Sequence, residues 1–231
     1  MVDKKAIVLF SGGLDSTTVL HHAISEGYKC LALTIDYNQR HNYEIQSSQN
    51  YLNHYDIDGL IFKIDLTQIG GSALTDEKID VPIATDDEIP ITYVPARNTI
   101  FLSIASAYAE KYKIYDIFIG VNQIDYSGYP DCRPEFIKSI QGSINLGTKS
   151  GVNGSDILIN TPLINMSKKE IIKYGYNLGI DYSKTVSCYQ LDNEGRACGK
   201  CDACNFRKEG FRLAGIEDPT RYKNCKIIKN I

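Results

Sequence analysis

The first residues whose types and spacing could do chemistry form the string Ser11-Gly12-Gly13-Leu14-Asp15-Ser16-Thr17, directly after an apolar run that ends at Phe10. Two glycines let backbone N–H groups approach a ligand, and the hydroxyls add donors. A helix that begins here would add the positive end of its dipole. The spacing is neither a Walker A loop nor G-x-G-x-x-G. The string indicates an anion site of another kind or, in the plainer interpretation, a strand-to-helix turn capped by Asp15 or Ser16.

The second group is a set of four cysteines near the end of the chain: Cys188, Cys198, Cys201 and Cys204. Four thiolates at these separations can close a tetrahedral zinc site, with Gly199 easing the turn. A CxxCxxC run can also hold part of an iron–sulfur cluster or serve redox or persulfide chemistry. We favour structural zinc, because four ligands leave no open coordination position and a small region with few apolar residues needs a staple.

Composition restricts the class of protein. The 231 residues include 25 Lys and Arg and 28 Asp and Glu, and the formal net charge of −3 argues against a broad basic surface for nucleic acid. There is no run of about eighteen apolar residues, and residues 1–10 lack the pattern of a signal peptide. Seven cysteines, an odd count, fit metal or catalytic thiols better than a disulfide framework. We expect a cytoplasmic protein that binds neither a membrane nor nucleic acid directly.

Elements that could position these residues follow from hydrophobic periodicity. Apolar runs of strand length alternate with helix-period segments up to about residue 180, which predicts an α/β fold with a doubly wound parallel sheet. The predicted strands are Ala6–Phe10, Cys30–Ile35, Leu60–Ile64, Asp116–Gly120 and Ile157–Ile159. The predicted helices are Asp15–Glu26, His41–Tyr55, Asn98–Tyr112, Pro134–Leu146 and Ser167–Leu178.

Two long stretches without periodicity, Thr67–Arg97 and Val121–Arg133, interrupt this pattern. Ligands of open α/β sheets bind outside the carboxyl ends of the strands, so we expect both loops on the ligand side. No linker divides residues 1–180, which we predict to form one domain that carries the anion site. Residues 181–231 are predicted to be a small zinc-binding subregion packed on it.

The string SGGLDS at the end of the first strand resembles the signature of the PP-loop, or N-type, ATP pyrophosphatases. The resemblance implies cleavage of ATP between its α and β phosphates, adenylation of a substrate oxygen, and Mg²⁺ bound with the ATP. It also implies that the loop contacts ATP through Phe10, Ser11, Gly12, Gly13, Leu14, Asp15, Ser16 and Thr17.

Further strings, in order along nearly the whole chain, resemble the 7-cyano-7-deazaguanine synthase family of queuosine precursor biosynthesis. They are residues 36–44, 93–98, 120–133, 161–163, 169–170 and 187–189. Asn38 and Ala96 stand where many members have glycine. The resemblance implies an ATP-dependent ligase that converts 7-carboxy-7-deazaguanine and ammonia into the 7-cyano compound through adenylate and amide intermediates. It also implies a homodimer.

Charged side chains in these strings are the catalytic candidates. Arg40 and His41, just beyond the second strand, could bind phosphate or fix a carboxylate, or could belong to a solvated helix start. Arg97 opens a helix where its guanidinium could meet an anion. Lys169 could reach the phosphates from its helix, although an exposed helical lysine is the commoner case. The catalytic candidates are therefore Arg40, His41, Arg97 and Lys169.

The segment Asp125–Arg133 interleaves carboxylates and an arginine with tyrosines, which suits a flat heterocycle with ring N–H and amino groups. A packed, tyrosine-rich turn is the alternative, and only the family resemblance favours function. Cys132 has no identifiable base partner, so we interpret it as a pocket residue. The substrate-binding candidates are Arg97, Asp125, Tyr129, Asp131 and Arg133.

Three other functions stay open at this point. A tRNA thiolase or a lysidine-type ligase could use the same PP-loop fold, but the mild acidity of the chain argues against one. A non-catalytic nucleotide sensor could use its zinc knuckle to dock a partner protein. A related enzyme that attaches a deazaguanine to another macromolecule could keep all of these motifs.

Overall fold

The computed structural model describes residues 4–40, 43–82, 89–122 and 128–223. Five strands form one sheet in the order β3-β2-β1-β4-β5, and every neighbouring pair is parallel. The parallel sheet confirms the predicted fold class. The strands are β1 (Lys5–Leu9), β2 (Lys29–Asp36), β3 (Gly59–Lys63), β4 (Asp116–Phe118) and β5 (Leu158–Asn160).

Helices cover both faces of this sheet, as a doubly wound topology requires. The helices are α1 (Leu14–Ser25), α2 (Tyr43–His54), α3 (Arg97–Tyr112), α4 (Pro134–Gly147), α5 (Lys149–Val152), α6 (Lys168–Asn177) and α7 (Asp202–Ala214). Short 3₁₀ turns lie at Pro130–Cys132 and Tyr182–Lys184. Within residues 4–40, 43–82, 89–122 and 128–223, no helix is long and apolar enough to cross a membrane.

Alternate side chains of each strand enter two separate cores. Ile7 and Leu33 pack with Leu102 of α3 and Ile137 of α4 on one face. On the other face, Val8 shares a core with residues from α1, α2, α6 and α7, including Phe211. Burial of each large aliphatic side chain stabilises the fold by roughly 1.5–3 kcal/mol. The continuous apolar runs of β1 and β2 are explained by this two-sided burial.

The ten predicted elements all form, with bounds within about two residues, which is the usual uncertainty of element ends. Helix α7 is the main difference, because the sequence pattern predicts no helix after residue 180. Its buried face consists of Ala203, Cys204, Arg207, Gly210 and Phe211. Only Phe211 is a large apolar residue, so the hydrophobic period that reveals a helix is missing.

Helix α7 packs closely along α6, and Gly210 is the point of close approach. A Cβ atom at Gly210 would lie 2.5 Å from Cγ of Lys168 and 2.8 Å from Cδ1 of Ile172. A larger side chain would therefore push α7 away from α6 or displace the stem of Lys168. The C-terminal region is thereby in direct contact with the helix that carries Lys168.

Candidate active site

A cavity of about 250 Å³ opens at the carboxyl ends of β1, β2 and β4. The strand order reverses between β1 and β4, and a crevice at such a switch point is the usual ligand position in open α/β sheets. Both long loops reach it, through Leu74 and Arg97 from the first and Val121 and Tyr129 from the second. The described parts of both loops thus lie on the predicted ligand side of the sheet.

The loop after β1 forms one wall of this cavity. The Ser16 hydroxyl accepts a hydrogen bond from the Ser11 N–H at 3.2 Å and lies 3.1 Å from the Ser11 hydroxyl. Gly12 has a φ of +76°, and a Cβ atom there would lie 3.2 Å from backbone atoms of Ser48, so glycine fits both demands. Of the predicted ATP contacts, six line the cavity: Phe10, Ser11, Gly13, Leu14, Asp15 and Ser16.

The other two predicted ATP contacts lie behind the cavity wall. Gly12 is buried, and its carbonyl accepts a hydrogen bond from the N–H of Val186 at 3.0 Å. Thr17 is fully buried within α1, and its Oγ1 has no hydrogen-bond partner among the described residues. The first turn of α1 also lies close to β4, because a Cβ atom at Gly120 would be 3.1 Å from the backbone of Asp15 and Ser16.

A lysine reaches the loop from α6, but it is Lys168 and not Lys169. The Lys168 Nζ lies 2.8 Å from both carboxylate oxygens of Asp15, and only 8% of its side chain is exposed. Lys169 is exposed and does not line the cavity. The buried face of α6 consists of residues 168, 171, 172 and 175, so helical period alone points to Lys168.

Arg97, the first residue of α3, lines the same cavity as the loop after β1. Burial lowers the pKa of its guanidinium, but the nearby Tyr37, Tyr129 and Asp131 raise that pKa by more, so the group stays charged. Burial in turn raises the pKa of the Tyr37 hydroxyl to about 12, against the opposite effect of Arg97. The cavity thus holds a fixed cation beside tyrosine rings.

Glu44 lines the same cavity from the first turn of α2 and was not among the predicted site residues. Burial raises the pKa of its carboxyl group to about 7, and the positive charge of Arg97 opposes that rise. No other described residue gives Glu44 a hydrogen bond. Glu44 shares a helical face with the buried Ser48, Tyr51 and Leu52, and this spacing was the signal that could have identified it.

The segment at 128–133 contributes only part of what was predicted. Tyr129 is buried, lines the cavity, and lies with its hydroxyl 2.8 Å from Thr92 Oγ1. Asp131 is buried outside the lining, where its carboxylate accepts from the N–H of Asn98 at 3.1 Å. It therefore caps the start of α3 and lies near Arg97. Arg133 is exposed at the start of α4 and does not line the cavity.

Cys132 lines the cavity as a buried thiol. Burial raises its pKa to about 12, with a further increase from Asp131, so the sulfur stays protonated and weakly nucleophilic at neutral pH. This agrees with the interpretation of Cys132 as a pocket residue.

Arg40 lines the cavity, but its guanidinium is committed to the long loop. Its Nη atoms donate hydrogen bonds to the carbonyl groups of Ala73 at 3.3 Å, Ile79 at 3.1 Å and Glu77 at 3.1 Å. Arg40 thus positions the loop segment 73–79 beside the cavity. His41 and Asp125, the remaining predicted site residues, lie outside the described residues.

The four cysteines predicted to bind metal come together beside the cavity wall. Their sulfur atoms all lie within 4.8 Å of one another, and those of Cys198 and Cys204 are 3.9 Å apart. Sulfur atoms around a tetrahedral zinc ion with bonds of about 2.3 Å are roughly 3.8 Å apart. Backbone N–H groups of Gln190 and Cys198 donate to the Cys188 sulfur at 3.2 and 3.1 Å. The cluster could bind a metal ion.

Together, the parallel sheet, the loop after β1 and the cavity at the switch point define a PP-loop fold. Two solved structures share the fold. A predicted subunit of tRNA methyltransferase from Methanocaldococcus jannaschii is 16% identical, with a TM-score of 0.50, over 96% of this chain and 94% of its own. A 4-thiouridine synthetase, solved with RNA and bound ATP, is 17% identical, with a TM-score of 0.52, over 92% of this chain and 50% of its own.

Comparison at the sequence level identifies the family. The family described as queuosine biosynthesis protein QueC matches residues 5–215. Curated relatives named 7-cyano-7-deazaguanine synthase, from Pseudomonas putida and Pseudomonas fluorescens, are 54% identical over 96% of this chain and 100% of their own. A relative of the same name from Cellvibrio japonicus is 54% identical over 96% of this chain and 99% of its own. The chain belongs to the QueC family, which confirms the family resemblance and an enzyme of the ATP-dependent ligase type.

Proposed function

We propose that this cavity converts 7-carboxy-7-deazaguanine, ammonia and ATP into 7-cyano-7-deazaguanine. Family membership supports the overall activity. One observation supports the assignment of this activity to the cavity. The phosphate loop with Asp15 lines the same cavity as Arg97 and Tyr129. A loop suited to phosphates that faces a cation and an aromatic ring fits an enzyme that adenylates a flat carboxylic acid.

The reaction needs ATP because oxygen is a poor leaving group from a carboxylate. Adenylation makes the departing oxygen part of AMP, and ammonia then gives an amide. The amide oxygen is also a poor leaving group, so a second ATP activates it before the nitrile forms. Mg²⁺ bound with ATP would offset part of the triphosphate charge and would favour the departure of pyrophosphate.

The residue roles follow from the placement of the side chains. The loop from Ser11 to Ser16 holds the phosphates through hydroxyl and backbone N–H groups. Lys168 takes the role first expected of Lys169, because it fixes Asp15 and adds a positive charge beside the loop. Arg40 acts indirectly, by positioning the segment 73–79.

Arg97 would bind the carboxylate of the acid, because its cation is charged, partly buried and in the cavity. Tyr129 would pack against the heterocycle. His41 and Asp125 remain proposed as catalytic and substrate-binding residues on the family resemblance alone. Asp131 contributes by capping α3 and so positioning Arg97.

The cysteine cluster would hold a structural zinc ion through Cys188, Cys198, Cys201 and Cys204. Four thiolate ligands leave no coordination position for a substrate, so the metal would fix the C-terminal fold and supply no chemistry to the cavity. We propose residues 181–231 as a zinc-stapled subregion of the ATP-binding domain at 1–180. Phe211 packing in the core of that domain supports this division of roles. A homodimer is also proposed, from the resemblance, and a cytoplasmic location stays proposed from the composition of the sequence.

Formation of AMP tests this function. Purified protein with Mg-ATP should release AMP when 7-carboxy-7-deazaguanine and ammonia are both added, and should release none with ATP and ammonia alone or when unmodified tRNA replaces the acid. AMP release that depends on tRNA would favour a tRNA-modifying enzyme instead. If the protein binds ATP but releases no AMP in the presence of the acid and ammonia, the result would favour a nucleotide sensor and contradict the proposal.

A further inference from the structure

The proposed reaction leaves three protons without an acceptor. Ammonia carries three hydrogens, and the nitrogen of a nitrile carries none. One proton leaves when ammonia displaces AMP and the amide forms. Two more leave when the amide is adenylated and then loses AMP to give the nitrile. An inference about their acceptor rests on the proposed function.

Most ionisable groups in the described cavity lining are unsuitable acceptors at neutral pH. Asp15 is held by Lys168 at 2.8 Å through both oxygens. Arginine side chains stay protonated. Burial raises the pKa of the Tyr37 hydroxyl and of the Cys132 thiol to about 12, so both already carry their protons. The remaining carboxyl group in the described lining is that of Glu44.

Glu44 is positioned to act on the reacting end of the substrate. Glu44 and Arg97 line the same cavity, and the guanidinium charge of Arg97 opposes the rise that burial causes in the pKa of the Glu44 carboxyl group. Arg97 is the cation assigned to the carboxylate of the acid, so a group beside Arg97 is also beside the carbon that ammonia attacks. A residue that recognised the distant amino edge of the heterocycle would lie away from this cation.

Glu44 is also free to take a proton. None of the described residues donates a hydrogen bond to it, in contrast to Asp15 in the same cavity. Its side chain is partly exposed, so a captured proton can pass to water.

We propose that the carboxylate of Glu44 is the general base that removes protons from nitrogen during amide formation and nitrile formation. In the first step the nitrogen lone pair forms the C–N bond, the C–O bond to AMP breaks, and one N–H proton moves to a Glu44 oxygen. In the second step the amide oxygen attacks ATP, pyrophosphate leaves, the electrons of an N–H bond form the C=N bond, and the proton moves to Glu44, which has passed the first proton to water. In the final step the electrons of the last N–H bond form the third C–N bond as AMP leaves, and that proton moves to the same carboxylate after it has again released its proton to water.

The expected pH dependence follows from the surroundings of Glu44. The charged and titratable groups around the cavity are Asp15, Tyr37, Arg40, Arg97, Tyr129, Cys132 and Tyr189. With a carboxyl pKa of about 7, Glu44 gains its basic form as the pH rises through neutrality. The rate of amide formation should rise over that range when the concentration of free ammonia is held constant at each pH.

Single-turnover kinetics of Glu44→Gln test the proposal. The first adenylation needs no base, because the acid is already ionised, so acid-dependent pyrophosphate release without ammonia should match that of the wild type. Amide formation should slow by about 10²-fold or more, a typical effect of removing a general base. The rise of the rate through neutral pH should disappear, and Glu44→Asp should recover part of the rate.

Glu135→Gln is the matched control, because Glu135 is an exposed glutamate in the first turn of α4. It should leave both steps unchanged. Wild-type amide formation in Glu44→Gln would overturn the role of Glu44, as would a higher KM for the acid at unchanged kcat, which indicates recognition. If Glu44→Gln slows pyrophosphate release as much as amide formation, the role of Glu44 as a general base would also be overturned. If the wild-type protein releases no pyrophosphate from ATP when the acid is added, the proposed function is overturned, and the role of Glu44 with it.

Discussion

The ammonium group of Lys168 lies 2.8 Å from both carboxylate oxygens of Asp15, across 153 positions of sequence. This ion pair joins the start of α6 to the first turn of α1, and therefore to the loop that ends β1. Gly210 of α7 allows the close helix contact beside the Lys168 stem. The C-terminal region thus stabilises the candidate phosphate site indirectly, because α7 packs against the lysine that binds Asp15.

Replacement of Lys168 should impair catalysis far more than replacement of its neighbour. Lys168→Met keeps the buried stem but removes the charge, which leaves Asp15 without its partner beside the phosphates. We expect kcat to fall by about 10²-fold, the scale of losing one charge-stabilising group. Lys169→Met should match the wild type. The reverse order of the two effects in steady-state AMP release would contradict the assignment.

Addition of a methyl group to Gly210 should destabilise the protein. The Cβ atom would approach Lys168 and Ile172 too closely, so Gly210→Ala should cost about 1–3 kcal/mol in urea unfolding. Gly142→Ala is the control, since it lies inside α4 with no atom within 4 Å of a new Cβ. That variant should gain about 0.5–1 kcal/mol. Equal effects at both positions would show that α6 and α7 do not pack closely.

Loss of one cysteine ligand should release the metal. Cys201→Ser should lower the zinc content measured by elemental analysis, and should lower Tm by about 5 °C or more, since each kcal/mol shifts Tm by about 2–4 °C in a chain of this size. Cys30→Ser provides the control, because Cys30 is a buried thiol of β2 outside the cluster. Unchanged zinc in Cys201→Ser would refute ligation by that residue.

Ala96 should be a point of stored strain. It precedes α3 with a φ of +54°, a left-handed conformation that is unfavourable for alanine and easy for glycine. Ala96→Gly should therefore stabilise the protein by up to about 1 kcal/mol in thermal unfolding. Asn38→Gly should give no gain, since asparagine tolerates its φ of 61° and Asn38 bonds to Asp65. Destabilisation by Ala96→Gly would contradict the assigned backbone.

The sequence predicted the sheet and its helices well because buried parallel strands and amphipathic helices leave clear periodic patterns. Asn38 and Ala96, the two departures from glycine in the resemblance, both have positive φ, although the sequence analysis made no prediction of their backbone conformation. It missed α7 because cysteine, glycine and Arg207 occupy the buried face. Arg207 is stabilised there by Asp218 at 3.2 Å and Thr185 at 2.8 Å, contacts that periodicity does not reveal.

The candidate site was predicted less completely than the fold. The phosphate loop could be located because its residues are contiguous and follow a strand. Lys168 was exchanged for Lys169, and Asp131 was expected in the cavity although it caps α3, because the orientation of a side chain depends on packing between distant elements. Glu44 was passed over because an acid near a helix start is commonly a solvated group that interacts with the dipole.

The most direct measurement of the central claim is mass spectrometry of the product together with the amount of AMP formed. Purified protein, 7-carboxy-7-deazaguanine, ¹⁵N-labelled ammonia and Mg-ATP should give the 7-cyano compound with the labelled nitrogen, and two AMP for each nitrile. The labelled amide should precede it. An absence of labelled nitrile, while AMP accumulates or not, would contradict the account.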